Sequence, residues 1–195
     1  MNDQKGIFCV YEFFYLEGML ACISSALTSA EAISRTYGES ESELTQEQFL
    51  DCFQNIIQQA AAVSRYFWPS ASPKSKHIEL HRRRGAQLRA AFQINEDNPL
   101  KNRTLRNRIE HFDESLDIFL SQPIAGDFIP AYVGPAPKSG VPSHFFRAFF
   151  TDIGVFEVLG ERYAMQPLYD EMSRLHDLLV ACGRDGCRLP RETEA

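Results

Sequence analysis

The sequence predicts a mainly α-helical protein, an up-and-down bundle of four to five helices with a small β-hairpin insertion before the last helix. Three observations lead there. Long stretches repeat apolar residues at three- and four-residue steps, the period of a half-buried helix. Capping and stop signals bracket those stretches. One short region near the C-terminal third, Phe145 to Leu159, is instead rich in aromatic and β-branched residues.

In order along the chain, the first helix is expected from about Ile7 to Tyr37, with Leu16, Met19, Leu20, Ile23, Leu27, Ala30 and Ile33 on one stripe and Gly38 as its stop. Its aromatic start, Phe8, Tyr11, Phe13, Phe14 and Tyr15, is wider than one stripe, which suits burial all round or packing on a partner. Thr45-Gln46-Glu47-Gln48 is a capping box. The helix it opens carries Phe49, Phe53, Ile56, Ile57, Ala60, Val63 and Phe67, and Pro69 ends it. Ser72-Pro73 then signals a third helix over about Lys74 to Phe92, very basic, with Ile78, Leu88 and Phe92 as sparse apolar contacts and Gly85 in its middle. Asn98-Pro99 repeats the cap-plus-proline signal and opens a fourth helical pattern to about Leu120, whose apolar face is Leu105, Ile109, Phe112, Leu116 and Phe119.

After Gln122 the character changes. Five of the ten prolines lie between Pro123 and Pro142, predicting a long irregular loop with one short strand near Phe128 to Val133. Phe145–Phe150 and Gly154–Leu159 form the expected hairpin. A last helix follows over about Gln166 to Ala181, and the polar tail, 184–195, is expected to fray.

Composition narrows the function classes. At 195 residues and 44% apolar the chain suits one folded domain. Neither an apolar run of transmembrane length nor a signal peptide is expected, so the cytoplasm is the expected location, with no membrane partner. Five scattered cysteines suit reduced thiols better than a disulfide framework. Cys182 and Cys187 lack a second ligand pair, His77 and His81 lack the glutamate placement of zinc proteases, and no Glu stands three residues before any His. No metal or other cofactor is expected, and neither a phosphate-binding glycine loop nor a Gly-x-Ser-x-Gly elbow is present.

Charge is the strongest clue. The net charge is −6, yet the window from Lys74 to Arg108 holds ten basic residues against three acidic ones, which makes it +7 and leaves −13 elsewhere. One reading is a solvated face balanced by acids elsewhere in the fold. The other is a strip that meets an anionic partner such as RNA.

Within that region the fourth helical pattern carries Arg106, Asn107 and His111 on its polar side. At ~100° per residue, Asn107 and His111 stand about 40° apart, whereas Arg106 is about 140° from His111. Arg106 and His111 therefore cannot readily meet one small group from a single helix, and a shared task needs a second helix or a second copy of this one across a two-fold axis. Alternatively, Arg106 pairs with Glu110 four residues on, in an exposed ion pair of little energetic consequence.

The run Arg106-Asn107-Arg108-Ile109-Glu110-His111 resembles the Arg-x4–6-His signature of the HEPN superfamily, whose domains are bundles of four or five helices with the motif in a late helix. The resemblance spans about 5–181, within a single domain over 1–195 that has an irregular and β-containing insertion at about 123–160. It implies metal-independent endoribonuclease activity. His111 would serve as general base or acid, Arg106 would hold the phosphate, and Asn107 would orient the His or bind a phosphate oxygen. It also implies a composite site shared by two protomers, hence a homodimer. Arg82, Arg83, Arg84, Arg103 and Arg108 would contact the RNA backbone. Two other readings stand beside it. In one, the same residues form a structural polar network in a non-catalytic module that dimerises or engages a protein partner, such as an antitoxin. In the other, loop 123–142 is a lid over a small-molecule or nucleotide site.

Overall fold

The computed structural model describes residues 7, 9–38, 44–70, 76–102, 112–121, 125–138 and 140–191. A 3-10 turn, Cys9–Tyr11, leads into α1 (Glu12–Gly38), whose Leu16, Met19, Ile23 and Ala26 are buried at the expected spacing. α2 (Gln46–Phe67) begins at the expected capping box: Gln48 N donates to Thr45 Oγ1 at 3.3 Å and Thr45 N donates to Gln48 Oε1 at 2.9 Å. α1 packs against α2 on one side and against the last helix, α5 (Met165–Arg184), on the other. α3 (Ile78–Ala91) lies against α2, and α4 (Phe112–Ser121) turns Leu116 and Phe119 toward the main core.

The fold is mainly helical, as expected, but its β portion is larger than one hairpin. β1 (Asp127–Gly134), β2 (Ser143–Phe150), β3 (Val155–Val158) and β4 (Glu161–Ala164) form one mixed sheet in the order β1-β2-β3-β4. The expected hairpin is present as β2–β3, antiparallel with Arg147 opposite Val158 and Phe150 opposite Val155. β4 adds to it through a tight turn in which Leu159 and Gly160 both have positive φ, 48° and 76°. That is the twist a two-residue hairpin turn requires, and it takes Leu159 out of the strand in which the periodicity placed it.

β1 runs parallel to β2, with Asp127 opposite Ser143 and Gly134 opposite Phe150. Parallel neighbours usually need a crossover of a dozen residues or more. Here the link is 135–142. Its nine peptide steps reach at most ~30 Å, against roughly 23 Å for the strand it retraces, so little slack remains. Part of the stretch expected as an irregular loop or lid is therefore sheet. Ala136 N donates to Asp152 Oδ1 at 2.8 Å, and Ala136 packs on a small second core of Phe145, Ala148 and Phe150.

The other side of the sheet meets α2. Phe53 stacks on Phe149 at 4.1 Å between centroids and lies 5.7 Å from Phe156, while Phe49 meets Phe149 edge-on at 5.9 Å. Arg147 reaches across to Asp51 and Gln54. One cluster of buried side chains thus runs through helices and sheet. As far as Arg191 the tail is held rather than frayed, with Leu189 buried and its N donating to Oε2 of the buried Glu12 at 3.0 Å; 192–195 lie outside the described residues.

Two further expectations need correction. Asn98 does cap, its Oδ1 accepting from Leu100 N at 3.0 Å, but the element it opens is a three-residue 3-10 turn, Pro99–Lys101, closed by Asn102 at ψ 108°. The cap is also tethered to α5, with Asn98 Nδ2 donating to Glu171 Oε1 at 2.6 Å. Moreover, one helix among the described residues, Glu12–Thr36, is long and apolar enough to span a membrane. Glu12 and Glu17 lie in its first two turns, which leaves a long apolar remainder. It buries Leu16, Met19, Ile23 and Ala26, while 22% of its apolar window is buried in all.

Candidate nucleic-acid interface

Arg103, Arg106, Asn107, Arg108 and His111 lie outside the described residues. The chain on either side of them is described. On the N-terminal side a network anchors the Pro99–Lys101 turn to α5. Glu171 accepts from Asn98, and it accepts from both Nε and Nη2 of Arg174 at 2.7 Å, a two-point carboxylate–guanidinium bond. Arg174 Nη1 also donates to Phe92 O at 3.2 Å. Its guanidinium is held further toward the charged form by Glu171. On the C-terminal side α4 sits against the β3–β4 turn, with the Phe119 ring 3.8 Å from where a Cβ on Gly160 would lie.

The basic strip separates into two groups. Arg82 and Arg83 stay at the surface of α3. Arg82 pairs with Glu79 at 2.7 Å, and Arg83 Nε donates to Glu79 O at 3.3 Å. Arg84 and Arg89 instead turn to the carboxyl end of α2. Arg84 Nη2 donates to Arg65 O at 2.9 Å, and Arg89 Nη1 donates to Phe67 O. Cations suit this place, because the last carbonyls of a helix have no partners within it and carry its negative dipole end. The two guanidiniums also lie over aromatic rings, Arg84 6.0 Å from Tyr15 and Arg89 5.9 Å from Trp68.

Gly85 makes this approach achievable. A Cβ there would stand 2.5 Å from Phe67 O and 2.9 Å from Pro69 Cδ. The glycine that looked like a weak point in a helix is where α3 presses on the end of α2.

Between α1, the last turns of α2 and α3 lies a hollow of about 560 Å³, lined by Arg65, Tyr66, Ser70, His81, Arg84 and Cys22 among others. Its charged groups are two guanidiniums, joined by an imidazole and two hydroxyls, and no described carboxylate lines it. Arg84 Nε is shut off from solvent with no acceptor among the described residues. Burial pushes the Tyr66 phenol up from its ordinary value, with Cys22 and Tyr15 adding to the rise and Arg84 opposing it. Burial likewise pushes the Cys22 thiol up, against the pull of Arg65. Cys22 is therefore a protonated, weakly nucleophilic wall residue rather than a reacting group. The sequence singled out Arg84 and His81 in this hollow and missed Arg65, Tyr66 and Ser70, which precede the basic window.

A second, larger cavity of about 690 Å³ lies between α1, α5, α2 and the sheet, with Leu27, Phe53, Ile56, Phe149 and Met165 in its wall. Its titratable residues, Glu31, His176 and Asp177, belong to α1 and α5, and His176 Nδ1 lies 3.6 Å from Asp177 Oδ1. Among the described residues no group of three or more His, Cys, Asp or Glu side chains could hold a metal ion.

Comparison with known proteins yields no match: no family model, no curated protein and no solved structure is significantly similar to this chain.

Proposed function

We propose that the chain is a HEPN-like RNA-binding protein that acts in the cytoplasm as a homodimer and cleaves RNA without a metal, in a composite site built from Arg106, Asn107 and His111. The motif itself, Arg106 to His111, is the observation that carries the activity. The basic corner where α3 meets the end of α2 supports an RNA partner, because it gathers cationic side chains on an otherwise acidic protein. Arg82 and Arg83 on the surface of α3, with Arg103 just before the motif and Arg108 within it, would meet further phosphates.

The chemistry is an internal transfer. His111 takes the proton from a ribose 2′-OH as the 2′ oxygen bonds to the adjacent phosphorus. The bond from phosphorus to the 5′ oxygen breaks, and that oxygen collects a proton, leaving a 2′,3′-cyclic phosphate and a 5′-hydroxyl. Arg106 holds the phosphate and offsets charge developing on its oxygens, and Asn107 orients the imidazole. Purified protein incubated with mixed RNA in EDTA should generate cyclic-phosphate ends, and His111→Ala should abolish them. Cleavage that continues unchanged in the mutant removes His111 from the reaction.

A second reading, a non-catalytic module that pairs with itself or with another protein, draws on the start of α1. Val10, Tyr11 and Phe14 are 66%, 53% and 61% exposed, and the Phe13 and Phe14 rings lie 3.9 Å apart. A contiguous exposed aromatic patch of this kind marks an association surface. Phe14→Glu measured by sedimentation tests this reading: loss of self-association, in a protein whose wild type cleaves no RNA, supports a module that pairs through the patch, and self-association that is unchanged removes the patch from assembly.

A further inference from the structure

We infer that the hollow at the α2–α3 corner is a phosphate-binding site. Its lining includes Arg84, Arg65, His81, Tyr66 and Ser70, residue types whose side chains can donate to a phosphate. No described carboxylate lines these walls. Elsewhere several arginines of this chain meet carboxylates: Arg82 with Glu79, Arg147 with Asp51, Arg162 with Glu157 and Arg174 with Glu171. Arg84 meets a carbonyl and a ring, and among the described residues no carboxylate pairs with it. Arg84 is half-buried, so its charge carries a desolvation cost that an anion in the hollow would offset.

The anchoring favours a built site. The bond from Arg84 to Arg65 O fixes one edge of the guanidinium, so its remaining donors are held in place before a ligand arrives. Gly85, pressed on Phe67 and Pro69, fixes the distance between α3 and the end of α2, and with it the separation of Arg84 and His81 from Arg65, Tyr66 and Ser70. Cys22, neutral through burial, adds no opposing charge.

The ligand chemistry is a phosphate group, whether one phosphate of an RNA chain or that of a free nucleotide. The inference rests on the RNA reading only for where the phosphate comes from. The test is a titration of isotope-labelled protein, followed by the amide signals of Tyr66, Ser70, His81 and Gly85, with inorganic phosphate, uridine 5′-monophosphate and a 2′-O-methyl RNA decamer that cannot be cleaved. All three ligands should shift these four signals. Arg84→Gln should weaken each by about tenfold or more, and Arg84→Lys by less, since it keeps the charge and loses the fork. Because Arg84 also caps α2, His81→Ala serves as a second variant; its side chain makes no hydrogen bond among the described residues, and it should weaken binding with folding intact. Phosphate and mononucleotide binding without decamer binding leaves the site standing and removes the RNA reading. Decamer binding that leaves the four signals unmoved, or folded Arg84→Gln and His81→Ala proteins that bind as the wild type does, overturns the site and leaves the RNA reading untouched.

Discussion

The two large hollows of this molecule differ little in size, about 560 Å³ and 690 Å³, and greatly in how their walls are satisfied. In the larger, between α1, α5 and the sheet, most of the apolar residues belong to the main core, and two polar groups of α5 lie beside groups of their own helix: His176 is 3.6 Å from Asp177, and Gln166 Nε2 donates to Asp170 Oδ1 at 2.7 Å. In the smaller, at the α2–α3 corner, cationic groups converge with no described carboxylate among them. Cavity size alone does not separate packing from recognition. Convergent charge of one sign does, because a folded chain bears its cost only where structure or a ligand offsets it.

The comparison can be broken most severely from the apolar side. Phe53→Ala removes the ring that stacks on Phe149 and Phe156, and should lower unfolding free energy by about 3–5 kcal/mol in urea melts. Phosphate binding by the protein that stays folded should be unchanged. Gly85→Ala attacks the other side. Its Cβ would meet backbone 2.5 Å away, so it should cost about 1–3 kcal/mol by the same melts and, unlike Phe53→Ala, also weaken phosphate binding by spreading the corner. RNA affinity should fall steeply with added salt, and the triple change of Arg82, Arg83 and Arg84 to Gln should flatten the slope of log affinity on log salt by up to about 2–3, near one per lost phosphate contact. A slope that does not change would place RNA away from α3.

The smallest effect sharpens the comparison chemically. Burial pushes the thiols of Cys22, Cys52 and Cys182 up from their ordinary value. At pH 8 they hold their protons, so alkylation of the native protein at these three should be slower than in the urea-unfolded chain, read by peptide mass. The sign carries over to stability. The folded chain keeps protons that the unfolded chain releases, so stability is intact below the unfolded thiol value and declines as pH rises past it. Fast native labelling of Cys22 would mean the basic corner activates it, contrary to its role as an inert wall.

How much of this was legible depended on the range of the interactions involved. The capping box at Thr45, the α1 stripe, the apolar face of α2 and the β2–β3 hairpin are local patterns, and the residues announce them. β1 was readable as a strand near Phe128–Val133, but its parallel pairing was not, because a return link as short as 135–142 departs from the usual crossover. β4 was missed because Leu159 continues the apolar run of β3, and only Gly160 hints at the turn. At 98–102 the cap and proline were legible, but the bond from Asn98 to Glu171, 73 residues on, left no mark in the local pattern.

At the corner, the basic window contained Arg84 and His81 but gave no sign that Arg84 and Arg89 would spend donors on the carbonyl end of α2, since a carbonyl acceptor leaves no mark in residue type. Arg65 and Tyr66, one turn before the Pro69 break, were the available clue, since they sit at the carboxyl end of α2 on which α3 packs. The motif from Arg106 to His111 was read from the sequence alone.

Complementation between two inactive variants tests the composite site most directly. Arg106→Ala and His111→Ala, each inactive as a homodimer, are mixed, allowed to exchange subunits, and assayed for cyclic-phosphate ends in EDTA. Random exchange makes half the dimers mixed, and each mixed dimer carries one intact pairing of Arg106 from one protomer with His111 from the other. Activity near a quarter of wild type is therefore the expected result. A mixture that stays as inactive as its parts, although subunit exchange is demonstrated, would contradict a site shared between two copies of this chain.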